Sequence, residues 1–207
     1  MISIADRIEE AVDHDSAAHV ADHLLGCDEY EMQCMYAWHI GEDEEKINFK
    51  SPEISESFKA FVQEQALERL ENARHDLTYD LSQNEDDTLT IWRSIVVPND
   101  WPENVNERPI GIYWAYRETA AEPHWGSFSE GNAEIILEGR VNVEDVDWSQ
   151  SVLMNAQCKE EREIRLLPTA MVLLVSARWA HDNGGPIPIG LEVSAGGQLA
   201  TAAPAAT

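Results

Sequence analysis

At Ser82–Asp87, "SQNEDD", the spacing of apolar residues changes, and no other feature limits the possible folds of the chain as much. Before it, apolar residues recur at about a helical turn. Ile4, Ile8, Val12, Val20 and Leu24 space "ISIADRIEEAVDHDSAAHVADHLLG" as one or two amphipathic helices, with Gly26 as the expected stop. "YEMQCMYAWHI" is apolar without a clear period, so it reads as helix or strand, and "GEDEE" follows as a charged loop. From Ser51 to about His75 a helix is predicted, with Ser51 as cap, Pro52 in the first turn and a stripe of Ile54, Phe58, Phe61, Leu67 and Leu70. After the switch the segments are short, branched or aromatic, and separated by turn residues: "TLTIWRSIVV", "PIGIYWAY", "AEIILEGRVNV", "EIRLLP", "AMVLLVSARW" and "PIGLEVS". They predict a mostly antiparallel β core, with a short helix around "RETAAEPHWG". The expected class is α+β: a helical region over 1–87, a β core over 88–195, and a small-residue tail over 196–207 that reads as disordered.

Charge narrows the partners. The 207 residues carry 39 Asp and Glu against 14 Lys and Arg, a net charge of -25. Residues 1–90 hold 23 of the acids and 6 of the bases, so the helical region carries most of the repulsion. Such a field disfavours direct nucleic-acid binding and anionic membranes, and favours a protein partner with a basic surface, or salty solvent. No apolar run approaches the roughly 20 residues that span a bilayer, and "MISIADRIEE" lacks the apolar core of a signal peptide. A soluble cytoplasmic protein is expected. Cys27, Cys34 and Cys158 are odd in number and widely spaced, as suits reduced thiols.

Few residues stand out chemically, and each has a plain structural reading. In "TIWRSIVV", alternation places Arg93 among Ile91, Ile95 and Val97. It either pairs with an acid or snorkels at an edge, or it presents a guanidinium suited to a pyrophosphate. Tyr113 and Trp114 in "GIYWAY" fall on opposite sides of a strand, as packing residues or as walls of a slot for a planar ring. In an extended chain Glu161 and Glu163 of "EREIRLLP" share a face about 7 Å apart, as a solvated edge or a working pair. His19, His23 and Cys27 form an i, i+4, i+8 row, but without a further strong ligand it reads as a helix face rather than a metal site.

Taken in order, "TIWRSI", "GIYWAY…TAAEPHW" and "EREIRLLPTAMVLLV" resemble the three signature segments of the ADP-ribosyltransferase fold, over roughly Thr88 to Trp179. Arginine-serine-glutamate members carry, on a first core strand, an arginine that grips the dinucleotide. Arg93, followed by Ser94, stands at that place. The poly-ADP-ribosyl branch has a glycine-isoleucine-tyrosine-phenylalanine-alanine strand running into a helix, to which "GIYWA" with "AAEPHW" is similar. The family's Glu-x-Glu, leading to an apolar strand through a leucine-proline turn, is matched by Glu161-Arg162-Glu163 and "IRLLP". The Ser-Thr-Ser element of the arginine-type branch is replaced by Tyr113-Trp114-Ala115, and the histidine of the other branch by arginine. The resemblance implies a glycosyltransferase with NAD as co-substrate, transferring one ADP-ribose to a macromolecular target. Glu163 would stabilise the oxocarbenium-like ribosyl centre and Glu161 would orient or deprotonate the acceptor. Arg93 with Ser94 would hold the pyrophosphate or adenosine ribose, and Tyr113 or Trp114 would stack on nicotinamide. Two alternatives stay open: a non-catalytic acidic inhibitor that covers a basic, nucleic-acid-binding surface, or an acidic structural protein of salty environments.

Overall fold

The computed structural model describes residues 3–13, 15–98, 110–121, 132–158, 162–180 and 185–196. They form an α+β protein of five α-helices and one six-stranded antiparallel sheet, helical at its N-terminal side. The chain divides into two units, Met1–Thr78 with Val152–Lys159, and Tyr79–Ser151 with Glu160–Thr207. The tail beyond 196 lies outside the described residues.

The first unit is built from α1 (Ile4–Ala11), α2 (Ser16–Cys27), α3 (Glu29–Ile40) and most of α4 (Pro52–Asp80), with the later part of α5 (Trp148–Gln157). Ser3 opens α1 with a reciprocal cap: its hydroxyl accepts from the Asp6 amide at 3.1 Å, and its own amide donates to the Asp6 carboxylate at 3.2 Å. Gly26 lies inside α2, which runs one residue further to Cys27 and is capped by the Asp28 amide donating to the Leu24 carbonyl. The ambiguous segment is helix α3, closed by Gly41 in the left-handed region at φ 72°. Ser51 caps α4 as expected, accepting from the Ile54 amide at 3.4 Å. The buried stripe of α4 runs Phe58, Val62, Ala66, Leu70, Ala73 and Leu77, whereas Leu67 points outward, 55% exposed. Tyr36, Phe49, Phe58 and Phe61 form an edge-to-face cluster with centroids 5.1–6.1 Å apart. Arg69, buried on α4, reaches Asp28 at 3.4 Å, Glu31 at 3.6 Å and the Gln157 carbonyl at 3.4 Å.

The second unit holds β1 (Thr88–Pro98), β2 (Tyr113–Ala115), β3 (Asn132–Asn142), β4 (Glu163–Arg165), β5 (Met171–Trp179) and β6 (Ile187–Ser194), in the order β4-β2-β1-β3-β5-β6. All six coincide with segments read as strands, β1, β3 and β6 each reaching one residue beyond. Residues directly opposite in an antiparallel pair share a face, so the register sorts the side chains. Leu89, Ile91, Trp114, Leu137, Val141, Ile164, Val172 and Leu174 build the buried face. The other face carries Trp92, Ser94, Tyr113, Ala115, Glu163, Glu134, Glu138, Ser176 and Arg178. On it Ala115, Ala121 and Ile136 form a small apolar cluster with Trp92, Ala120 and Ala180. The helix expected around "RETAAEPHWG" is a 3-10 turn at Glu118–Ala121 as far as it is described. No helix among the described residues is long and apolar enough to cross a membrane.

Candidate functional site

The short strand β2 sets the geometry of the site. Its even-numbered side pairs with β4: the Tyr116 amide donates to the Arg162 carbonyl at 3.0 Å, and the Leu166 amide to the Ile112 carbonyl at 2.7 Å. Alternation therefore turns the Tyr113 and Ala115 backbone toward β1, where Trp92 and Ala115 are in register. One residue further on, the Tyr113 carbonyl accepts from Arg93 Nη1. The guanidinium thus sits in a fork between β1 and β2.

Gly111 makes room for it. Its φ is +87°, and a Cβ there would lie 2.7–2.8 Å from Nη2, Cζ and Nη1 of Arg93. The Trp114 indole closes the same turn by donating to the Gly111 carbonyl at 2.9 Å. Burial pulls the Arg93 pKa below its ordinary value, and the negative charge of Glu163 works against that shift. Glu163, 70 residues away in sequence, thus acts on Arg93 through its charge, although the register sets Arg93 opposite Leu137 on the buried face and Glu163 opposite Ala115 on the other. Arg93 Nε has no hydrogen-bond partner among the described residues.

The remaining residues singled out by the sequence separate. Glu163 is half-buried, opposite Ala115 and diagonal to Tyr113, so these share one face with Trp92. Tyr113 is 42% exposed on it. Trp114, at 0%, lies on the buried face and offers no ring surface to a ligand. Ser94 donates its hydroxyl to the Glu134 carboxylate, a side chain on β3 that is only 8% exposed. Glu161 lies outside the described residues. Arg162, between it and Glu163, has φ +47°, outside the extended region. Among the described residues no group of three or more His, Cys, Asp or Glu is placed to hold a metal ion.

Two members of this face were not singled out from the sequence: Trp92, which supplies an indole where Trp114 does not, and Glu134, which receives Ser94. Alternation carried the signal for Trp92, since placing Ile91 and Arg93 on one face puts Trp92 and Ser94 on the other. For Glu134 there was none, because its partner lies 40 residues away. No family model, no curated protein and no solved structure matches the chain.

Proposed function

We propose that the chain is an NAD-dependent mono-ADP-ribosyltransferase acting on a protein or other macromolecular target, and that its sheet is of the ADP-ribosyltransferase type. One observation carries this reading. The three segments that bear the resemblance come together on successive strands β1, β2 and β4, with Trp92, Tyr113 and Glu163 on one face and the Arg93 guanidinium, rising from the other face, at the Tyr113 carbonyl. In the proposed reaction the bond between ribose C1′ and the nicotinamide nitrogen breaks, nicotinamide leaves as the neutral base, and an acceptor atom attacks C1′ and loses its proton. A carboxylate at Glu163 stabilises the positive charge that develops on the ribosyl ring. Arg93 supplies charge for the pyrophosphate, and Tyr113 with Trp92 supplies aromatic surface for a base. Glu161 keeps its proposed role at the acceptor.

A second reading has its own support. Arg93 Nη1 and Ser94 are already engaged inside the protein, as suits a non-catalytic acidic protein that covers a basic surface. Incubation with labelled NAD, alone and with cell lysate, separates the two. A transferase releases nicotinamide or labels a target, and Glu163→Gln lowers that rate by about 10²–10³. A folded wild type that turns over no NAD with any lysate would leave the binding reading.

A further inference from the structure

Helix α3 presents an aromatic stripe to solvent. Tyr30, Cys34 and Trp38 recur every fourth residue along one side, and the two rings stand about 12 Å apart along the axis. Tyr30 is 69% and Trp38 86% exposed, while Met32 and Tyr36 of the same helix are buried. Elsewhere the chain hides its described tryptophans: Trp114 and Trp148 are buried, and Trp92 and Trp179 are half-buried. A carboxylate is held over the stripe, because the Tyr30 hydroxyl donates to Glu44 at 3.4 Å and the Cys34 thiol reaches the same oxygen at 3.7 Å. Glu42 and Glu45 flank it, both exposed.

We propose that this face of α3 docks an arginine-bearing basic segment of a partner protein. Calling that partner the target to be modified rests on the transferase reading; the docking itself does not. An arginine side chain fits both halves of the surface. Its planar guanidinium stacks on an indole or phenol face and offers paired N–H donors to a carboxylate, which an ammonium does not do. Tryptophan and tyrosine at the centre with charge around them is also the usual composition of an interface hot spot. A second copy is the poorer occupant, since each chain carries a net charge of -25 and would bring the same carboxylates to the contact.

The test uses the full chain and a fluorescently labelled arginine-glycine repeat peptide, followed by anisotropy, with a lysine-glycine peptide as comparison. Trp38→Ala is expected to weaken arginine-peptide binding about tenfold or more, and Glu44→Gln severalfold. Glu53→Gln with Glu56→Gln on α4 removes more charge and is expected to leave binding within about twofold, and the lysine peptide binds more weakly. The proposal is overturned if Trp38→Ala loses no more than the α4 control, if both peptides bind alike, or if no saturable binding occurs. It is also overturned if the protein sediments as a dimer that Trp38→Ala dissociates. Label transfer from NAD, read separately, keeps the two ideas apart. Peptide binding that depends on Trp38 without any NAD turnover sinks the transferase and leaves the docking face. Turnover on a basic protein target that Trp38→Ala leaves unchanged at every target concentration sinks the docking face and leaves the transferase.

Discussion

Arg93 and Gly111 compete for the same few ångströms at the fork between β1 and β2. Replacing Gly111 with Ala adds a Cβ within 2.8 Å of the guanidinium at a backbone angle that L side chains rarely adopt. The variant is expected to lose about 1–3 kcal/mol in urea unfolding, with the guanidinium displaced from the Tyr113 carbonyl. Neighbouring aromatics separate structure from ligand. Trp114→Ala removes a fully buried indole and its bond to Gly111, and is expected to cost about 3–5 kcal/mol. Tyr113→Ala, on the exposed face, is expected to stay within about 1 kcal/mol in stability while weakening NAD binding by the proposed site. The sequence showed that Tyr113 and Trp114 face opposite ways. It did not show which side is the core, because both residues are large and apolar enough for either.

Helix ends and helix faces carry the next predictions. Ser3 holds the Asp6 carboxyl below its ordinary range through its hydroxyl and then its amide, and the Thr88 hydroxyl does the same for Asp86. Both carboxylates therefore stabilise the fold above about pH 4, the ordinary titration range of an aspartate. That contribution is lost as pH falls through their lowered folded values. In an NMR titration Ser3→Ala is expected to move Asp6 upward and to reduce the helicity of α1. On α4, Arg69→Ala leaves Asp28, Glu31 and the Gln157 carbonyl without their cation, and is expected to cost about 2 kcal/mol by urea unfolding, since the carboxylates stay partly hydrated. The helical period made α1, α2 and α4 legible in the sequence. It failed for α3 because Tyr30 and Trp38 stand on the solvent side, erasing the contrast between faces on which periodicity depends. It also missed α5, a ten-residue helix rich in Ser, Gln and Asn, whose signal was the Asp147 carboxylate accepting from the Gln150 amide at 3.2 Å.

For the whole molecule, a net charge of -25 sets the response to salt. Raising NaCl from about 0.05 M to about 1 M shortens the screening length severalfold, so Tm is expected to rise, as followed by calorimetry. Much was written in the chain itself. The switch of period at 82–87 imposes helices before strands, because a pattern of about 3.6 cannot bury one face of a sheet, nor a pattern of two one face of a helix. Strand segments and their alternation followed from β-branched and aromatic residues between turn residues, and the acidity followed from a count. Strand order was not local information. Placing β2 between β1 and β4, so that the charge of Glu163 acts on Arg93 across 70 residues, required the whole sheet to choose its pairings. The left-handed Arg162, the burial of Trp114 and the Ser94–Glu134 bond were likewise decided by tertiary structure, since each depends on which neighbour the fold supplies.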